Sequence, residues 1–398
     1  MICVAEVKSQ MFGIHLMADF IDCLVVGTGP VGMVAASGLA QAGLSVGLLG
    51  PEPNHVRDGR TVAILDKGVS LLQTLGLWGE AREQSAPLTE MRIIDDTGSL
   101  FRAPPVTFRA HELELDAFGQ NIELADLVAH LTHNLNSQKK VEIISDTARE
   151  FRRSQDDQII VDLSSGRSMQ CRILIGADGR HSKVRNFAEI KTKQWDYPQS
   201  ALTALFSHER DHEDRSTEFH KRSGPFTLVP LKGRRSSLVW MMPPQEAERV
   251  SKLTSEQFAR LVEKQAHSLL GKMVLESQIG LIPMSGLSTD HYAKDRIAVV
   301  GEAAHVFPPI GAQGLNLGLR DIAALLKSFT HQLDQHALQK FDHDRRRDVK
   351  TRTMAVDLLN RSLLADYVPV DFARGAGLMA IASLKPLRQF VMRRGAGF

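Results

Sequence analysis

The chain has 398 residues, 43% hydrophobic and 24% charged, ordinary globular usage that excludes collagen-like, disordered and disulfide-scaffold classes. Its 48 Lys and Arg against 46 Asp and Glu leave a formal charge of +2. That balance excludes a protein whose main work is gripping phosphate backbones, so no nucleic acid partner is expected. The length corresponds to about two or three domains. No apolar run reaches the roughly 18 residues of a membrane span, and residues 1–17 lack the basic and apolar regions of a signal peptide. Cys3, Cys23 and Cys171 show no CxxC spacing. Cys23 and Cys171 read as small buried hydrophobes, which suits a reducing, cytoplasmic setting.

In chain order, residues 20–26 form a short apolar run that ends at a glycine. Residues 30–42 read as a helix of small residues and 45–49 as a second strand. This is a strand–helix–strand unit of βαβ size. Helical spacing marks 66–77 and 123–135, while 158–163 and 171–176 read as strands. Between about 186 and 280 the texture changes. ALTALF (201–206), FTLVP (226–230) and SSLVW (236–240) are short strands between charged or Gly/Pro turns, followed by one helix at 254–270. The pattern predicts an antiparallel sheet inserted into an α/β framework. Strand and turn then return over 295–305 and helix over 313–329, and beyond Phe341 the chain reads as helical and basic.

Three motifs carry chemistry. Gly27-Thr28-Gly29-Pro30-Val31-Gly32 is a GxGxxG between the first strand and the first helix. Gly27 permits the tight turn, Gly29 lets backbone approach a pyrophosphate, and Gly32 lets helix and strand pack closely. Pro30 opens a helix whose N–H groups and dipole favour phosphate. The acid that should end the second strand and hold a ribose is missing: Gly50 stands there. Glu52 either substitutes from the loop or is a solvated surface glutamate. The second motif is Gly176-Ala177-Asp178-Gly179-Arg180-His181-Ser182-Lys183-Val184-Arg185. The third is Gly301-Glu302-Ala303-Ala304-His305, continuing through Pro308-Pro309-Ile310-Gly311-Ala312-Gln313-Gly314-Leu315-Asn316.

Together these motifs resemble the group A flavoprotein aromatic monooxygenases. DGRTVAIL (58–65), AFGQNIE (117–123), GLNLGLRD (314–321) and the segment from FDHDRRRDVKTR onward resemble, more closely, the ubiquinone-biosynthesis hydroxylases of the UbiH/UbiF/VisC type. The resemblance runs from about residue 18 to 398. It implies a Rossmann-like FAD-binding domain over 18–75, 110–185 and 280–345. It also implies an antiparallel-sheet substrate domain over 76–109 and 186–279, and a helical C-terminal region over 346–398. Asp178 and Gly179 would lie where relatives contact the flavin nucleotide and NAD(P)H. Glu302 replaces the usual Asp that contacts the ribityl chain, after Gly301. Pro309 and the segment Gly311, Gly314, Leu315 and Asn316 would lie against the pyrimidine side of the flavin. Arg60 matches an arginine near the flavin ring or, alternatively, a surface salt-bridge partner.

The resemblance further implies FAD as cofactor, NAD(P)H as a transient co-substrate and O2 as oxidant. The substrate would be a prenylated phenol or early quinone precursor whose ring is hydroxylated. No catalytic residue is assigned and no metal is expected. A soluble phenol or aromatic-acid hydroxylase shares every flavin motif. A non-catalytic flavin-binding scaffold subunit of a quinone-biosynthesis assembly is the alternative of a different class. Apolar residues on the inserted strands (Leu205, Phe206, Phe226, Leu228, Trp240 and Met242) are candidates for the substrate pocket, and several of them for plain core.

Other residues take structural readings. His208, His212 and His220 lie among acids without metal-ligand spacing and read as a solvated charged loop. His305 reads as a packed or loop-anchoring residue, and Ser37 and Ser182 lack a nucleophile elbow. Arg345, Arg346 and Arg347 read as a solvated helix face. The stretch from Tyr367 to Phe398 mixes apolar residues with Arg374, Lys385, Arg388, Arg393 and Arg394. It is expected to contact a membrane peripherally or a multi-enzyme assembly.

Overall fold

The computed structural model describes residues 19–53, 56–98, 104–308, 313–329, 333–364, 379–380 and 383–396. The first layer is a largely parallel sheet. It takes β1 (Asp19–Val26), β2 (Val46–Gly50) and, after β3 (Thr61–Leu65), β4 (Ala86–Pro87), β5 (Glu90–Asp95), β6 (Val106–Arg109) and β7 (Gly119–Glu123), the strand β8 (Val141–Ser145). β9 (Ala148–Arg153), β10 (Ile159–Leu163) and β11 (Ser168–Gly176) follow, and β11 lies beside β1. Strands of such a sheet are covered on both faces, so they read as continuous apolar runs: all five residues of β2 are buried. Helix α1 (Pro30–Gln41) covers one face with nine buried residues, most of them small. A Cβ on Gly38 would stand 2.6 Å from the end of the Leu326 side chain, so α1 and the later helix that carries Leu326 pack closely there. Cys23 and Cys171 are fully buried, and burial pushes the Cys171 thiol up to about 12.

The second sheet is antiparallel at its centre. Its strands are β12 (Thr192–His208), β13 (Arg215–Lys221), β14 (Gly224–Leu231), β15 (Arg235–Met242), β16 (Met273–Leu275) and β17 (Gly280–Thr289). β5 and β6 join beyond β13. The short strands β18 (Ala293–Lys294) and β19 (Ile297–Val299) belong to the first sheet, and β20 (His305–Val306) pairs with β17. Residues 280–289, expected in the first unit, therefore run along the second sheet beside β12. Sequence spacing there suggested one helix. The chain forms two, after α2 (Asp66–Thr74), α3 (Leu124–Asn136) and α4 (Lys183–Phe187): α5 (Pro244–Ser251) and α6 (Ser255–Gln265). Pro244 sits in the first turn of α5, where its missing N–H costs nothing. Thr254 and Gln257 close α6 with a reciprocal capping box.

Side chains alternate across these strands. Leu202, Ala204, Phe206, Phe226, Leu228, Leu238, Trp240 and Met242 form one buried cluster with Ala247, Val250, Phe258 and Val262 of α5 and α6. Phe206, Phe226, Leu228, Trp240 and Met242 are thus core on the helix-covered face. Of the six pocket candidates only Leu205 points the other way.

Three elements close the molecule. β3, β7 and β4 make a small sheet between the two large ones. Helices α7 (Gln313–Ser328) and α8 (Gln335–Leu364) return along the first sheet. Helix α9 (Lys385–Ala396) docks on β6 through Met392, buried with Val106, Phe108 and Phe118. Arg388 pairs there with Glu112 at 3.0 Å. Among the described residues no helix is long and apolar enough to cross a membrane.

Candidate functional site

Strand β1 delivers the glycine-rich turn. Its register places Val26 opposite Gly176, so the first and second motifs leave the sheet side by side. Gly27 has φ +121°, and a Cβ there would lie 2.1 Å from the Ala177 carbonyl oxygen. A Cβ on Gly32 would lie 1.9 Å from the Gly27 carbonyl oxygen. Both glycines are forced by contact. Gly29 differs: its backbone is extended, at φ −76°, and a Cβ there would meet nothing within 4 Å. Empty space therefore lies before the N-terminus of α1, which has Pro30 in its first turn and neither a side-chain cap nor an acid there. Its free N–H groups and dipole make an anion cradle suited to a pyrophosphate. Behind it, the Thr28 hydroxyl donates to the Pro51 carbonyl at 2.6 Å. A side chain at Gly50 would press on Thr28 at 2.9 Å. Glu52 is exposed beyond that turn.

In the second motif Asp178 is fully engaged within its own turn. It accepts from Ser182 Oγ at 2.5 Å and from the backbone N–H groups of Lys183 and Val184 at 2.7 and 3.2 Å. Gly179, at φ +77°, completes the turn. The group that joins this motif to the third is Arg185, which the sequence reading passed over. Its buried guanidinium donates to the Arg180 carbonyl at 2.9 Å and to the Ala303 carbonyl at 2.8 Å. Burial lowers its pKa without removing its charge.

A second anchor was also missed. Asp321 of α7 is completely buried. It accepts from the Gly301 N–H at 2.8 Å, from His305 Nε2 at 2.7 Å and from Arg345 Nε at 2.7 Å. Burial alone would raise this carboxyl, but His305 and Arg345 hold it below its ordinary value. Arg345 is therefore no solvated residue: it is 3% exposed and also pairs with Asp348. Arg346 does face solvent.

Around this anchor, Gly301 turns at φ +60° and Glu302 is exposed, with no side-chain hydrogen bond among the described residues. Pro309 and Gly311 lie outside the described residues. Gly314 is exposed, Leu315 half-buried and Asn316 buried. Asn316 accepts from the Leu65 N–H at 2.8 Å and donates to the Ala63 carbonyl at 2.7 Å, which ties α7 to β3. Arg60 is exposed and pairs with Asp58 at 2.8 Å.

Beyond β3 lies the other wall. Thr61 of β3 hydrogen-bonds Ser237 Oγ at 2.9 Å, and Asn121 of β7 donates to the Pro230 carbonyl at 2.8 Å. The face of the second sheet opposite α5 and α6 thus looks toward the small sheet, whose strand β3 is tied to Asn316 of α7. Across 201–207, 225–231, 235–241 and 280–284 this face holds one charged side chain, Arg235. Glu123 and Glu276 neutralise it at 2.9 and 2.7 Å.

The three histidines need correcting. His208, His212 and His220 are 6–9% exposed rather than solvated: His208 and His220 lie in β12 and β13, and His212 in the connection between them. His208 bonds Ser236 Oγ and the Arg210 carbonyl, and His212 bonds the Leu231 carbonyl. No cluster able to hold a metal occurs among the described residues. A cavity of about 280 Å³ beside Arg210, His212 and Ser236 lies on the helix-covered face, remote from the three motifs.

The fold and the glycine cradle define a dinucleotide-binding flavoprotein. The chain belongs to the family described as "FAD binding domain", matched over residues 21–356, and FAD is the cofactor of that family. It is 30% identical over 391 residues to the ubiquinone hydroxylase UbiL of Rhodospirillum rubrum, covering 94% of this chain and 89% of the relative. It is 28% identical over 390 residues to the 3-demethoxyubiquinol 3-hydroxylase of Escherichia coli K12, covering 94% and 98%. Its fold is similar to that of the p-nitrophenol 4-monooxygenase PnpA of Pseudomonas putida DLL-E4, with a TM-score of 0.78 at 17% identity over 94% and 97% of the chains.

Proposed function

We propose that this protein is an FAD-dependent monooxygenase that hydroxylates the ring of a neutral, prenylated phenol in ubiquinone biosynthesis, using NAD(P)H and O2. The observation that carries the substrate class is the uncharged face of the second sheet. An aromatic acid would need a cation for its carboxylate, because an unpaired buried charge is costly. The one cation on that face, Arg235, already serves Glu123 and Glu276. A neutral phenol needs no such partner. The hydroxylases to which the chain is similar weigh against the scaffold alternative, and β3 links Asn316 of α7 to Ser237 of the second sheet.

When bound, FAD supplies the redox chemistry: it takes electrons from NAD(P)H and activates O2 for transfer of one oxygen atom. The chain supplies binding and orientation. Gly27, Gly29, Pro30 and Gly32 would cradle the pyrophosphate, and Glu302 would accept hydrogen bonds from ribityl hydroxyls. Asp178 and Gly179 hold the adjacent turn. Gly314, Leu315 and Asn316, with Pro309 and Gly311 before them, would place the N-terminus of α7 beside the flavin pyrimidine. That dipole stabilises negative charge. Arg60, paired with Asp58, stands at the outer rim.

Purified protein should be yellow and release FAD on denaturation, and its NAD(P)H oxidation should rise with a prenylated phenol. Equal stimulation by a benzoate would overturn the substrate class. Helix α9 supports a peripheral contact with anionic membrane, where such a substrate resides. No acid follows Asp371, whereas five basic residues do. Leu384 and Phe390 are 55% and 57% exposed. Basic residues near such a surface contribute about 1 kcal/mol each. Flotation with anionic vesicles should fall in a Leu384→Gln/Phe390→Gln variant, and unchanged flotation would reject the contact.

A further inference from the structure

Strand β13 borders the uncharged face and breaks its character. Glu218 shares that face with Thr227, whose hydroxyl donates to Glu218 Oε2 at 3.2 Å. His220, two residues on and 6% exposed, bonds Glu218 Oε1 through Nε2 at 2.7 Å. Its Nδ1 is buried without a partner. Nε2 must donate to the carboxylate, so in the neutral ring Nδ1 is left as the unused acceptor.

Glu218 is the unusual member. Its side chain is 27% exposed, and no Lys or Arg among the described residues pairs with it. Lys221, three residues on, points to the helix-covered face, over the Phe219 and Phe226 rings, and pairs with Asp96. A carboxylate offers about four acceptor positions, and Glu218 uses two within the protein. Two donors fix its direction while its remaining lone pairs are free. A partly desolvated carboxylate held in place at the edge of that face, with Asp95 across from His220, can bind a hydroxyl donor strongly.

We propose that Glu218 accepts the hydrogen bond of the substrate's phenol hydroxyl and so orients the ring, with His220 as a positioning residue. This rests on the phenol reading above. No proton need leave the phenol: the charged hydrogen bond shifts electron density toward the ring and fixes which carbon faces the oxidant.

The test compares a short-chain prenylated phenol with its methyl ether on FAD-loaded protein. Product formation, NAD(P)H oxidised and hydrogen peroxide released are all measured. Hydrogen bonds to charged groups predict that wild type prefers the phenol by roughly 10- to 150-fold in kcat/KM. In Glu218→Gln and Glu218→Ala that preference should shrink at least fivefold. The loss should fall on the phenol, and peroxide per NAD(P)H should rise. FAD content and melting temperature identify any variant that has misfolded, and the near-isosteric Glu218→Gln is then decisive. His220→Phe should raise peroxide release more modestly, and His220→Gln, which restores a donor, should reverse most of that rise. A Glu218→Gln enzyme that keeps the full preference and the full coupling overturns the proposal while leaving the phenol reading intact. A wild type that never hydroxylates the phenol overturns the reading itself.

Discussion

The two faces of the second sheet share the same strands and perform different work. On the helix-covered side large rings interlock. Phe226 and Trp240 meet edge-to-face at 5.3 Å and Phe219 and Phe226 at 5.7 Å, while Phe206 and Phe258 meet tilted at 5.7 Å. On the opposite side small or hydroxylated residues (Ala201, Thr203, Ser237 and Gly280) stand beside Leu205, Val239, Met241 and Met284. Interlocked rings hold the fold on one face, and on the proposed substrate face these strands carry shorter or more flexible side chains. Neighbouring residues in one strand therefore answer to different physical demands, which makes their substitution effects separable.

Trp240→Ala would break the comparison most sharply. It should lower stability by about 3–5 kcal/mol in urea unfolding, with substrate preference unchanged in whatever folds. Asp321→Ala tests the corresponding division in the dinucleotide half, because it removes the buried carboxylate that Arg345, His305 and the Gly301 N–H share and leaves Arg345 only Asp348 at the edge. A loss of about 3–5 kcal/mol is expected at neutral pH. Since the Asp321 carboxyl is held below its ordinary value, its contribution is complete above the unfolded carboxylate value of about 4 and is lost as pH falls through the folded value. The gap between wild type and variant should narrow in acid, and a gap constant from neutral to strongly acidic pH would contradict the charged anchor. Glu302→Ala, on an exposed group, should leave folding unchanged and weaken FAD binding by about 1.5–3 kcal/mol, or 10- to 150-fold, in a flavin-fluorescence titration. An unchanged dissociation constant would remove Glu302 from the ribityl contact. Smallest in stability is Val239→Ala, at about 1 kcal/mol or less. Its mark should be a higher KM for the phenol, and a loss as large as that of Trp240→Ala would erase the distinction between the faces.

The motifs were legible because each is local: strand, glycine turn and helix follow within a dozen residues. What escaped the sequence depends on distant pairing. Arg185 reads as one of several basic residues until the Ala303 carbonyl is brought beside it, 118 residues away. Arg345 sits in a run of three arginines, and nothing local separates it from Arg346. The histidines at 208, 212 and 220 lie among acids, so composition suggested solvent. Strand pairing buries His208 and His220 instead, and His212 packs in the connection between their strands, bonded to the Leu231 carbonyl. One signal was available and unused. Leu205 and Phe206 are adjacent, so a strand must send them to opposite faces, and alternation alone would have split the pocket candidates.

Asn316 reaches back 251 residues to bond the backbone at Leu65. That distance is also an interval of time. At ribosomal rates of about 5–20 residues per second, roughly 10–50 s separate the synthesis of the two partners. The hairpins of β13, β14 and β15 close from neighbouring residues and can form well before then. A growing chain thus closes these hairpins before the contact between α7 and β3 can form. Until α7 emerges, β3 waits without its anchor, and a prematurely ended polypeptide would carry the glycine turn yet lack the clamp that completes it.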